Sequence, residues 1–206
     1  MDNYANLAPL AFGIQAFITL FVILDPPGVT PIFLAITNGK SSKDLMRLAW
    51  QGATVSLVLI VSFAVAGQAV LKALHISFNA LQGAGGLLML LIALELLTGK
   101  DSGDDGKSSP NIAMVPLGTP LLAGPGAIVA TMLFAQSANN GDQKIALAVA
   151  IVLVHVVIGI TLMSSTQIVR VIKEAGVTLL ARVAGLLTGA IAIEMIVAAI
   201  KGFWPN

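Results

Sequence analysis

The sequence predicts an all-α membrane protein: six transmembrane helices forming two inverted three-helix repeats, with helices 1 and 4 discontinuous. Three observations carry this expectation. Of 206 residues, 57% are hydrophobic and only 10% charged, where a soluble domain carries roughly 25% charged residues. Six apolar windows reach the roughly 20 residues that a bilayer-spanning helix needs. The two halves of the chain also match one another at a fixed offset.

The windows lie at residues 8–37, 50–73, 78–98, 112–136, 145–169 and 178–201. The first is too long for one straight span, and "DPPGVTPIF" (Asp25 to Phe33) interrupts it. Pro26 and Pro27 lack backbone donors and clash with the preceding turn, so the helix must stop there. Gly28 then allows a tight turn, and a new half-helix is expected to begin near Thr30-Pro31. The fourth window carries "AGPGAIVATM", which predicts a matching break at Gly124-Pro125-Gly126 and a half-helix beginning near Ala127. Between the halves, "GKDSGDDGKSSPN" (99–111) reads as a flexible loop. Residues 1–98 therefore form the first repeat and 112–206 the second.

At an offset of 99, Glu95 falls on Glu194, Gln68 on Gln167 and Gly86 on Gly185, and with one residue of slippage Pro27-Gly28 falls on Pro125-Gly126. Apolar composition inflates Leu and Val identities, so these polar and Pro-Gly positions carry the match. Three spans per half is an odd number, which turns the second half upside down. Inverted repeats with sites at discontinuous helices are a hallmark of secondary transporters.

Lys40, Lys43, Arg47, Lys100, Lys107, Arg170, Lys173 and Arg182 follow helices 1, 3 and 5, and only Lys72, Lys144 and Lys201 lie on the other side. The positive-inside rule then puts the central loop in the cytoplasm and both termini on the outer face. The start, "MDNYANLAPL", lacks a basic n-region, so the first apolar segment is expected to remain as an anchor. A net charge of +1 gives no case for nucleic acid, and the absence of cysteine excludes disulfides and thiolate metal sites. The expected partners are a small-molecule solute and the lipid bilayer, with homo-oligomerisation left open.

The half-helix N-termini at the breaks have free N–H groups and a positive dipole end. Inverted symmetry would bring two such ends together around an anionic group such as a carboxylate. The candidate substrate-binding residues are Asp25, Pro27, Gly28, Thr30, Gly124, Pro125, Gly126 and Ala127. Simple proline kinks satisfied by neighbouring helices are the plainer alternative.

Asp25 is an intramembrane carboxylate, costly and functional by default. It suits a substrate ammonium, a cation or a coupled proton, and equally the N-cap of the second half-helix. Thr30 and Thr131 offer hydroxyls, although threonine on an apolar helix often bonds its own backbone. Glu95, Glu194 and His155 are candidates for coupling or gating; helix packing for the glutamates and a buried hydrogen bond for the histidine are the alternatives. Gly185 and Gly189, with Gly83, Gly85 and Gly86, permit close helix approach. There is no P-loop, no metal-ligand cluster and no second intramembrane Asp for an aspartyl dyad, so neither an enzyme nor a resident cofactor is expected.

"ILDPPGVTPIFLAIT" resembles the D-P-x-G-x-x-P-I-F segment of the MarC-related family of bacterial inner-membrane proteins, and "PLGTPLLAGPGAI" resembles that family's P-L-x-x-P-L-L-A-G-P-G-A-I segment. Pro27, where Leu is more usual, is a small departure. The resemblance spans nearly the whole chain. It implies six spans in the inner membrane and relatives that transport small neutral amino acids such as glycine and alanine, coupled to Na⁺ or H⁺. It points independently to Asp25, Pro27, Gly28, Gly124, Pro125 and Gly126. An exporter or channel for another small solute and a non-transporting scaffold are the rival expectations.

Overall fold

Capping side chains, not hydropathy alone, decide where some helices of this chain begin. The structure, a computed structural model, describes residues 6–37, 39–98 and 123–204. In order these form α1 (Pro9–Leu24), α2 (Pro26–Ile36), α3 (Ser42–Ala73), α4 (Phe78–Thr98), α5 (Pro125–Ser137), α6 (Gly141–Met163) and α7 (Ser165–Phe203), with no strand among the described residues. Five stretches are long and apolar enough to cross a membrane: Pro9–Thr30, Ser42–Ala73, Phe78–Thr98, Gly141–Met163 and Thr178–Phe203. The remaining expected window, 112–136, is described only from residue 123, where it becomes the 13-residue α5, too short to cross by itself. The 99–111 loop lies outside the described residues.

α3 starts at Ser42, well before the expected residue 50. The Ser41 hydroxyl caps it, accepting from the Asp44 N–H at 3.2 Å and donating to the Asp44 carboxylate at 2.7 Å. That Ser-x-x-Asp pair adds two polar turns that an apolar window cannot register. α6 likewise starts at Gly141, because Asn140 accepts from the Gln143 N–H at 2.8 Å. Its expected end at 169 is corrected to Met163, where Ser164 intervenes. α7 then runs from Ser165, with a break at Lys173 (φ 60°, ψ 165°) before its apolar span.

α4 and α7 pack along each other most extensively, and glycine sets their separation. A Cβ on Gly86 would lie 2.9 Å from the Ala192 carbonyl oxygen, and one on Gly185 would lie 3.2 Å from that of Ala93. The helix-packing reading of these glycines therefore holds. α1 and α3 pack on α6, while α5 contacts α1, α3 and α4. The core runs through these contacts, with Phe12 of α1 edge-on to Phe134 of α5 at 5.6 Å between ring centres. No residue of α5 from Gly126 onward is exposed. The long helices, by contrast, present apolar side chains outward, such as Val58, Val65, Leu87 and Leu91.

Candidate functional site

Asp25 is the single residue between α1 and α2, and it serves both. Its left-handed backbone (φ 40°, ψ 63°) ends α1, its N–H donating to the Phe21 carbonyl at 3.0 Å. Aspartate tolerates that conformation better than most residues. Its carbonyl accepts from the Val29 N–H at 3.0 Å and so begins α2, while carboxylate Oδ1 accepts from the Gly28 N–H at 3.2 Å. Asp25 is thus the N-cap of α2, with Pro26 and Pro27 in the two following positions, where a missing N–H costs nothing.

This corrects the expected geometry in two ways. α2 begins at Pro26, not near Thr30-Pro31, and the turn residue is Asp25, not Gly28. Gly28 stands in the first turn of α2, where a Cβ would overlap the Asp25 carboxylate. The expected anion-binding N–H groups at this end are also missing. Residues 26 and 27 are prolines, the Gly28 N–H goes to Asp25 Oδ1, and the Val29 N–H goes to the Asp25 carbonyl. What the first break offers is a buried carboxyl group. Asp25 is 7% exposed, and its Oδ2 is buried without a hydrogen-bond partner among the described residues.

The second break has the opposite character. Gly124 is the N-cap of α5, with no side chain capping it, and Pro125 follows. α5 therefore begins two residues before the expected Ala127. Its first intrahelical bond runs from the Ile128 N–H to the Gly124 carbonyl at 3.2 Å. The Gly126 and Ala127 N–H groups precede that bond at the positive end of the helix dipole. Gly126 and Ala127 are both buried. A Cβ on Gly126 would run into the side chain of Met89, which covers this end of α5 from α4.

One small apolar cluster, Met89, Val129, Ala192 and Met195, borders both breaks: Ile23 packs against it from α1, and Met89 lies against Gly126. Thr188 of α7 reaches the first break, its hydroxyl 3.4 Å from the Val22 carbonyl. That carbonyl would have received the N–H of residue 26, which is proline. The sequence signal for such a donor exists, since Pro26 and Pro27 orphan two carbonyls, but it does not say which hydroxyl answers.

Thr30 donates to the Pro26 carbonyl at 3.0 Å, the expected bond to its own backbone. Thr131 departs from that expectation: it is fully buried and its Oγ1 has no partner among the described residues. His155 is buried on α6, with Nδ1 2.7 Å from the Ile151 carbonyl and Nε2 3.0 Å from the Ser56 hydroxyl of α3. A carbonyl only accepts, so Nδ1 carries the proton; when the ring is neutral, Nε2 is the acceptor facing Ser56. Glu95 and Glu194 are exposed and are not brought together. Glu95 lies beside the Gly185 end of the α4–α7 contact and Glu194 beside the Gly86 end.

The sequence profile described as MarC family integral membrane protein matches residues 10–204. A UPF0056 membrane protein of Methanocaldococcus jannaschii is 34% identical, covering 94% of this chain and 98% of its own length. The UPF0056 membrane protein YhcE of Escherichia coli is 30% identical over 92% of both chains. YvbG of Bacillus subtilis is 28% identical, covering 95% of this chain and 97% of its own. No solved structure matches the chain.

Proposed function

Since this chain belongs to the MarC family of integral membrane proteins, we propose that it is a secondary transporter of small neutral amino acids, glycine- or alanine-like, coupled to Na⁺ or H⁺. The observation that carries the reading is the pair of unlike breaks bordering one buried cluster. Among the described residues, one offers a carboxylate oxygen of Asp25 without a partner, and the other a helix N-terminus at Gly126 and Ala127 without a side-chain cap. A zwitterion and its coupling ion need both signs of charge, and no Lys or Arg lies within α1, α2 or α5 to supply the positive one. Backbone N–H groups at a helix start are a ready-made carboxylate site. The Gly126 and Ala127 N–H groups receive the substrate carboxylate. Asp25 balances the cationic partner, and Met89 limits the size of the solute.

The transporter architecture we propose is a six-helix inverted repeat in the inner membrane, with both termini periplasmic. Three reciprocal contacts support it. Gly86 meets Ala192 while Gly185 meets Ala93, the same contact written twice at an offset of 99. α5 packs on α3 and α4, and its counterpart α2 packs on α6 and α7. Ser56 and His155, hydrogen-bonded to each other, are themselves 99 residues apart, as positions on a pseudo-two-fold axis must be.

The deciding experiment is uptake of labelled glycine or alanine into proteoliposomes, with and without imposed Na⁺ and H⁺ gradients. Saturable, gradient-driven uptake, competed by small neutral amino acids but not by their amides, is the expected result. Amides that compete as well as free amino acids would remove the carboxylate site. Unsaturable flux that ignores the gradients would favour a channel. No flux from well-folded protein would favour a scaffold.

A further inference from the structure

Residues 22, 23 and 25, at the α1–α2 break, carry oxygens short of backbone donors. Oδ2 of Asp25 is buried and has no hydrogen-bond partner among the described residues. In an uninterrupted helix the Val22 and Ile23 carbonyls would accept from residues 26 and 27, but both are prolines with no N–H to give. The Gly28 N–H, the next donor along, is taken by Asp25 Oδ1. Among the described residues the Val22 carbonyl accepts only a long bond, 3.4 Å, from the Thr188 hydroxyl, whose oxygen keeps its lone pairs. These carbonyls also form the negative end of the α1 dipole. No Lys, Arg or His occurs anywhere in the first 39 residues to neutralise the carboxylate.

We infer that this break is a binding site for a desolvated alkali cation, Na⁺ in the first instance, held by the Asp25 carboxylate, the Val22 and Ile23 carbonyls and the Thr188 hydroxyl. Each donor is a hard oxygen, which suits a hard cation over a transition metal. The site has one formal negative charge, so a monovalent ion leaves it neutral. A divalent ion would leave an uncompensated charge in a low-dielectric interior, which is expensive. Carbonyls freed at the C-terminal end of a half-helix are a recurrent means of coordinating Na⁺ inside membranes. Thr188 comes from α7, in the other half of the chain, so an ion here links the end of α1 to that half. The inference rests on the proposed function only in treating the break as a site; it does not depend on which solute is carried.

The test is thermal unfolding of the full-length protein in detergent, without amino acid, in NaCl against choline chloride at constant ionic strength. Near-saturating Na⁺, about 100 times its dissociation constant, should raise the melting temperature by roughly 5–10 °C, with no response to choline. Asp25→Asn keeps a capping side chain and should abolish the Na⁺ response. Thr188→Val leaves the carboxylate in place and should weaken the apparent Na⁺ affinity about tenfold, the loss of one oxygen ligand. It serves as the second variant should Asp25→Asn fold poorly. A wild-type protein indifferent to Na⁺, or an Asp25→Asn protein that still responds, overturns the site. So does a shift reproduced by methylammonium or by acidification with nothing added by Na⁺, which would make the ligand an ammonium or a proton. A Na⁺ response without amino-acid uptake keeps this site and removes the transport reading. Uptake driven by a proton gradient, with no Na⁺ response, does the reverse.

Discussion

Asp25 performs two structural tasks that different substitutions can separate. Its left-handed backbone turns the chain, and its carboxylate caps α2. Asparagine supports both, so Asp25→Asn should stay within a few tenths of a kcal/mol of wild type in stability. Alanine supports neither. It should lose about 1 kcal/mol for the cap and another ~1 kcal/mol for the left-handed backbone, measured by denaturant unfolding in detergent. On the proposed function, coupled uptake should disappear in both. Near-normal coupled uptake by the asparagine variant would return Asp25 to capping alone. Gly28→Ala should destabilise by about 1–2 kcal/mol, because its Cβ displaces the Asp25 carboxylate from its bond. Gly126→Val should block uptake by colliding with Met89. Both breaks and the capping role of Asp25 were legible in the sequence, since proline and aspartate act locally. Thr188 and Met89 were not, because each reaches its break from another helix.

Helix by helix, what could be read depended on the kind of signal. The apolar interiors of α3, α4, α6 and the second part of α7 match their expected windows because hydropathy is summed over many residues. The spans beginning at Phe78 and Thr178 also start where expected, whereas α3 and α6 start earlier because a capping side chain decides each: Ser41 with Asp44, and Asn140 with Gln143. The Lys173 break had no glycine or proline to announce it. Between elements, the Ser56–His155 bond joins α3 to α6 in a buried setting. Removing either side chain breaks it, and removing Ser56 takes the partner from a buried ring nitrogen. Ser56→Ala and His155→Leu should each destabilise by about 1–3 kcal/mol. The double variant should cost clearly less than their sum, and that coupling is what a double-mutant cycle reads. Additive losses would mean that the two side chains act separately.

For the whole molecule, the proposed topology makes a direct prediction. The chain has no cysteine, so a single cysteine introduced at residues 101–109 is an unambiguous reporter. It should be labelled by an impermeant reagent only from the cytoplasmic side; labelling from the outside would invert the arrangement. The sequence offset pointed to a repeat, and the contacts that support the proposed one are tertiary. Gly86 and Gly185 look alike as letters, and only packing pairs each with the alanine of the opposite half.

The 99-residue spacing of Ser56 and His155 also has a kinematic meaning. Suppose the two halves exchange conformations as access alternates, as inverted repeats do. Every distance between residue i of the first half and the counterpart of j in the second then becomes the distance between j and the counterpart of i. A residue paired with its own counterpart maps onto itself, so that distance is the same in both end states. Spin labels at Val58 and Val157, flanking the Ser56–His155 bond, should report one unchanging separation as Na⁺ or glycine is added. Labels at Leu87 with Ile193, and at Leu94 with Leu186, should trade their values. A protein that alternates in this way would thus carry its own stationary reference point, where Ser56 faces His155.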